Sequence, residues 1–387
     1  LLTPISHIPL YLNSPSYVLI ATLHHILNHN IFYNMTTIHN MSDVSKIHSL
    51  NIPTNKNLDS FQQQLPDASD TVPVIDLSHP DAPKLMNNAF QTWGVFQLVN
   101  HGIPVSLLNS IQSFIQDLFD LPTSQKLKIV RSRESIAGFG LVPLSQVYPK
   151  RPWGEGFTLI GNPVDHLQKL WPEDCKKYCD LAEEYLKEMK NLCGKVMWLT
   201  LGELGITPED INWAGSDGEF KTSNQALRMN SYPVCPEPDE SIGLPPHSDS
   251  SVLTVLYQTT KGLQVLIEGK GWVTVEPVKD ALVVQVGDML HILTNGLYSP
   301  SVHQAVVNQT HDRMSTAFFF GTPKNTEVSP LKKLVTPTRP LMYPTVTWAD
   351  YLSKKYELFE ETLPSIRLSA PPPGLSNVND QNQVKVG

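Results

Sequence analysis

A chain of 387 residues with 41% hydrophobic content can build one large domain, or two modest ones, around a sizeable core. Its 29 basic and 37 acidic residues leave a net charge of −8 with no basic patch, which speaks against nucleic acid as a partner. Cys175, Cys179, Cys193 and Cys235 form no disulfide framework and fit reduced thiols in the cytoplasm; Cys175 and Cys179 have the spacing of half a zinc site, but no second pair completes it.

Residues 1–34 contain no Lys, Arg, Asp or Glu, and the first methionine is Met35. The segment lacks the basic start of a signal peptide, and its apolar run Tyr17–Leu27 is too short to span a bilayer. It is expected not to be a functional part of the protein, and residues 1–69 together read as an irregular, disordered extension. No membrane partner is expected, and the protein is expected to be a monomer.

Order is expected to begin with the β-type run Val72–Leu77. A helix over 81–92 ends at Gly94, and Val95–Val99 is a buried strand. From Pro104, the stripe Leu107, Leu108, Ile111, Phe114, Ile115 and Leu118 predicts an amphipathic helix. Residues 150–163 read as loop and short strand. Residues 172–204 form the best helix in the chain, with Tyr178, Leu181, Tyr185, Met189, Leu192, Val196 and Leu199 on one face. It is expected to brace a sheet from outside. After Leu227 the texture turns to β: Val252–Tyr257, Leu263–Ile267, Trp272–Val275, Ala281–Val286, Met289–Leu293, Val302–Val307 and Met314–Phe320. This spacing suggests a sandwich or barrel. The fold class is α+β with a mainly β core: residues 70–225 form a helical and β region, 226–340 the β core, and 341–387 a C-terminal helix and a disordered tail opened by Pro371-Pro372-Pro373.

Every candidate ligand falls in the β-rich half. His247-Ser248-Asp249 puts an imidazole and a carboxylate two residues apart, and on a strand these share a face. His303, opening the strand Val302–Val307, completes two nitrogens and one oxygen. That is the facial triad of non-haem Fe(II) oxygenases, which leaves coordination positions open. Arg313 and Ser315 are again i and i+2. If residues 308–312 are the turn of a hairpin, Arg313 lies roughly 13 Å along the strand beside His303, at ~3.3 Å per residue. A small diacid could then reach from iron to the guanidinium, whose fork takes a carboxylate bidentately, with a hydroxyl donor from Ser315. A non-catalytic β-barrel binding protein competes with this reading, but its expected mark, loss of a ligand or of the arginine, is missing. A structural zinc site fits less well, because an Asp and two His leave the coordination sphere open.

With these residues stand Trp93-Gly94-Val95-Phe96, Asn100-His101-Gly102 and Asn230-Ser231-Tyr232-Pro233-Val234-Cys235-Pro236. Over about residues 70–340 the chain resembles the plant 2-oxoglutarate- and Fe(II)-dependent dioxygenases. The resemblance implies a distorted double-stranded β-helix, or jelly roll, braced by helices. It implies Fe(II), 2-oxoglutarate, dioxygen and ascorbate, with Asn230 and Tyr232 helping to hold 2-oxoglutarate and Tyr232 and Ser315 assisting Arg313. Trp153–Thr158, Leu253–Gln258 and His291–Tyr298 are most similar to gibberellin 3-beta-dioxygenases. That likeness implies hydroxylation of a gibberellin precursor, a rigid diterpenoid acid, at its 3β carbon. Another gibberellin position or a flavonoid-type substrate is the alternative within the family. Pro245-Pro246, where small residues are usual, departs from the pattern beside the iron site. Phe319, Trp153 and Tyr148 are candidate substrate contacts.

Overall fold

The computed structural model describes residues 71–132, 135–141 and 148–369. The expectations for residues 1–69 and for the tail from Pro371 lie outside the described residues.

The strands run β1 (Val74–Asp76), β2 (Val95–Val99), β3 (Gly138–Phe139), β4 (Arg151–Pro152), β5 (Glu155–Ile160), β6 (Asn224–Tyr232) and β7 (Ser241–Ile242). They continue with β8 (Leu244–His247), β9 (Leu253–Gln258), β10 (Leu263–Ile267), β11 (Gly271–Thr274), β12 (Leu282–Val286), β13 (His303–Ala305) and β14 (Arg313–Gly321). Eight of them form one sheet in the order β1-β2-β12-β9-β14-β6-β5-β3, and four form a second in the order β11-β10-β13-β8. Both sheets draw strands distant in sequence, as a jelly roll does. The principal helices are α1 (Ala82–Thr92), α2 (Val105–Asp120), α3 (Cys175–Gly202), α4 (Asp288–Leu293) and α5 (Trp348–Leu358).

Alternation along the strands sorts residues into layers. Leu227 and Met229 of β6, Leu253 and Val255 of β9, and Phe318 and Phe320 of β14 join the core that contains Tyr185, Met189, Leu192 and Val196 of α3. The opposite face contributes Leu256, Val283 and Ala317, which pack with Leu263, Val265 and Ile267 of the small sheet. The large sheet is thus a middle layer, braced by helix on one face and covered by strands on the other.

Three expectations need correction. Met289–Leu293 is not a strand but most of α4, whose six residues are all buried. A run buried all round has no periodicity to separate helix from strand. Gly287 precedes it, and a Cβ there would meet the Ser251 carbonyl oxygen at 2.1 Å. Second, β13 and β14 are not a hairpin. β13 pairs with β8 and β10, whereas β14 pairs with β6 and β9, so residues 306–312 cross from the small sheet to the large one. Third, His247 and Asp249 do not share a strand: His247 ends β8, and Asp249 lies in the connection to β9.

Candidate active site

β8 is an edge strand, which is where Pro245 and Pro246 can sit without removing a needed ladder donor. It brings His247 directly opposite His303 of β13, with ring centroids 4.3 Å apart. Asp249 turns in from the following loop. Its carboxylate lies 3.5 Å from His247 Nε2 and 3.8 Å from His303 Nε2, and the three ligand atoms fall within 4.8 Å of one another.

Each donor is oriented by a second contact. His247 Nδ1 lies 2.8 Å from the Pro245 carbonyl and His303 Nδ1 2.9 Å from that of Ser301. A proton on each Nδ1 satisfies these carbonyls and leaves both Nε2 lone pairs facing the centre. The Thr254 hydroxyl donates to Asp249 Oδ2 at 2.6 Å. Burial would push the Asp249 carboxyl up, but His303, His247 and Thr254 outweigh it and hold it far below the usual carboxylate range. Burial, then the charge on His247, pushes His303 down to about 4. For His247 burial again opposes the charged form, yet Asp249 and Glu360 raise it above its ordinary value. An ionised carboxylate and imidazole lone pairs, largely buried and aimed at one point, fit a divalent cation. The donor set is that of non-haem Fe(II).

The loop carrying Asp249 is held from two sides. The backbone amides of Gly287, Asp288 and Met289, at the start of α4, donate to the carbonyls of Val252, Asp249 and Ser251 at 3.0, 2.7 and 3.1 Å. From α5, Lys355 Nζ reaches Ser248 Oγ and Asp288 Oδ2, both at 2.7 Å, and just beyond the helix Glu360 accepts from the Ser248 amide. Tyr351 OH also donates to Asp288. These supports, and Thr254, were not anticipated. Thr254 and Gln258 could have been read from alternation in Leu253–Gln258, but nothing local marks Lys355 or Glu360.

A cavity of about 510 Å³ opens from the triad between the two sheets. Asn230, Tyr232, Arg313 and Ser315 all line it. Arg313 is 1% exposed. Its Nη2 donates to Gln258 Oε1 at 2.8 Å, Nη1 lies 3.5 Å from Ser315 Oγ, and Nε has no partner. The guanidinium stacks over the Tyr232 ring at 5.2 Å. No carboxylate of the described residues pairs with it. Gly262, at φ +146°, gives the side chain room, since a Cβ there would meet Arg313 Cδ at 2.6 Å. A buried cation left so short of acceptors is built to receive an anion. Asn230 Oδ1 instead accepts a hydrogen bond from Arg228 Nε at 2.9 Å. Phe319 lines the cavity; Trp153 and Tyr148 do not. Trp153 packs beside Tyr232 and Ala305, its indole N–H bonded to the Pro233 carbonyl.

Residues 223–322 match the 2OG-Fe(II) oxygenase superfamily, and residues 72–174 match the family described as non-haem dioxygenase in morphine synthesis N-terminal. Gibberellin 3-beta-dioxygenase 1 of Pisum sativum is 49% identical over 324 residues, covering 83% of this chain and 87% of that one. Gibberellin 3-beta-dioxygenase 1 of Arabidopsis thaliana is 46% identical over 303 residues, covering 78% and 85%. Among solved structures, JOX2 in complex with 2OG, Fe and JA superposes with a TM-score of 0.67 at 28% identity, covering 77% of this chain and 90% of that one. The rice dioxygenase for auxin oxidation shares the fold, with a TM-score of 0.63 at 24% identity, covering 77% of this chain and all of that one.

Proposed function

This chain belongs to the 2OG-Fe(II) oxygenase superfamily and, within it, to the gibberellin 3-beta-dioxygenases, and from that membership we propose how its residues hydroxylate a gibberellin precursor at the 3β carbon. The enzyme uses Fe(II), 2-oxoglutarate and dioxygen, with ascorbate as the usual reductant of the family. Bound iron supplies dioxygen activation coupled to decarboxylation of 2-oxoglutarate to succinate.

His247, Asp249 and His303 are the metal ligands in this reading. The two Nδ1 contacts hold the imidazoles in the ligating tautomer, and Thr254 fixes the carboxylate. Arg313 takes the distal carboxylate of 2-oxoglutarate in its fork, with Ser315 and Tyr232 as donors beside it and Asn230 on the adjacent strand position. Beyond them, Ala226, Leu256, Ala317 and Phe319 offer an apolar wall for the hydrocarbon skeleton, and closure of the cavity by substrate excludes water from the reacting centre.

The observation that carries the reading is the pairing of a convergent triad with an uncompensated, buried Arg313 in one cavity. The test is to incubate the purified chain with Fe(II), 2-oxoglutarate, ascorbate and a panel of gibberellin precursors, and to identify products by mass spectrometry and NMR. A 3β-hydroxylated product with matching succinate is expected; products lacking that hydroxyl overturn the regiochemistry. Residues 226–340 act as the catalytic core and 70–225 as its support. The enzyme works as a monomer in the cytoplasm, a placement supported by its four free cysteines.

A further inference from the structure

The cavity holds a second buried guanidinium. Arg228 lies on β6, four residues before Tyr232 and on the same face, and is 7% exposed. Its Nε donates to Asn230 Oδ1 and its Nη1 to Thr158 Oγ1, both at 2.9 Å. Both acceptors are neutral, and Nη2 has no hydrogen bond among the described residues. No Asp or Glu of the described residues pairs with it.

The fold supplies a counterion for a neighbouring cation but not for this one. Lys126, also buried, has Glu155 of β5 at 2.5 Å. One residue along β5, Gly156 lies beneath Arg228: a Cβ there would stand 1.8 Å from Nη2. The glycine makes the space in which the free edge of the guanidinium sits. Burial lowers the Arg228 pKa to about 10, and the charge of Arg131 acts in the same direction, so the group stays charged at neutral pH yet is costly to bury alone. Ala317 is its register partner on β14, so the charge is presented beside small apolar wall rather than beside Arg313.

We propose that Arg228 is the anchor for the carboxylate of the prime substrate, separate from the co-substrate clamp at Arg313. This rests on the reading of the cavity as that of a diterpenoid-acid hydroxylase. A planar fork with a free edge recognises a carboxylate by geometry as well as charge, and the apolar wall around it selects an acid that is otherwise hydrocarbon.

The test compares a gibberellin precursor acid with its methyl ester, using full-length wild type, Arg228→Gln, Arg228→Lys and Gly156→Ala. Arg228→Gln should raise KM for the acid on the order of ten- to a hundred-fold, the loss expected when a buried charged partner is removed. KM for 2-oxoglutarate should move by much less. Wild type should prefer acid to ester, Arg228→Gln should lose that preference, and Arg228→Lys should keep part of it. Gly156→Ala, which displaces the head while leaving the arginine in place, should resemble Arg228→Gln. Thermal melting of each variant checks folding. Equal acid-to-ester preference in wild type and Arg228→Gln overturns the proposal, as does a KM rise confined to 2-oxoglutarate. If no gibberellin is oxidised by wild type, substrate-stimulated succinate release across other apolar acids and their esters still tests Arg228: acid preference lost in Arg228→Gln upholds the anchor while the 3β reading falls.

Discussion

The two faces of the eight-stranded sheet come from the same strands and carry opposite burdens. Toward α3, Leu227, Met229, Val255, Phe318 and Phe320 are apolar, closely packed and fully buried. Toward the small sheet, Arg228, Asn230, Thr254, Arg313 and Ser315 are also buried, but polar, and two of them keep unused donors. Burying such groups costs free energy, and burying the phenylalanines one residue away releases it. Stability and chemistry are therefore separated by a single step along the chain, and substitutions on the two faces should fail in different ways.

The sharpest contrast is expected at the metal. His303→Ala should abolish turnover while leaving the melting transition cooperative; substantial residual activity would show that a third ligand comes from elsewhere. On the other face, Phe318→Ala should cost about 3–5 kcal/mol. It should shift the urea midpoint strongly, yet leave KM for 2-oxoglutarate of the folded enzyme nearly unchanged. A large change in KM with intact stability would erase the distinction between the faces. Arg313→Lys keeps the charge but loses the fork, and should raise KM for 2-oxoglutarate roughly ten-fold, with little effect on gibberellin binding. An unaltered co-substrate requirement would remove Arg313 from the clamp.

The smallest effect concerns His291 in α4, buried between the Tyr298 carbonyl and the Tyr343 hydroxyl. Burial lowers its pKa. The folded state therefore binds fewer protons here than the unfolded chain, whose histidine titrates near ~6.5. Its contribution to stability is complete above that pH and declines as the pH falls through it toward the lower folded value. Urea midpoints between pH 7.5 and 5 should fall less steeply in His291→Gln than in wild type; parallel curves would mean the imidazole charges freely in place.

The triad and Arg313–Ser315 were legible because their spacing carries chemistry, and α3 because a long stripe cannot be mistaken. The route by which Arg313 reaches the cavity was not. A short polar turn between two β segments suggests a hairpin, and only the sheet pairing reveals that the chain changes layers there, so that the arginine faces the triad across the sandwich instead of along it. The α4 segment was unreadable for lack of any exposed face. Pro245 and Pro246 fit within β8 because it is an edge strand, a placement that only the sheet order reveals. Lys355 and Glu360 lie 107 and 112 residues from Ser248, a separation no local pattern can bridge.

That separation has a consequence for biosynthesis. At ~5–20 residues per second, the lysine that splints the Asp249 loop leaves the ribosome roughly 5–20 seconds after the serine it grips. For about the last half of that interval, once His303 has also been made, the nascent polypeptide owns all three of its metal donors without the brace that keeps the middle one aimed. The loop that carries Asp249 thus gains its full support only in the closing moments of translation. A message cut short just before Lys355 yields a product that has every metal donor in its sequence and lacks the lysine that braces the Asp249 loop.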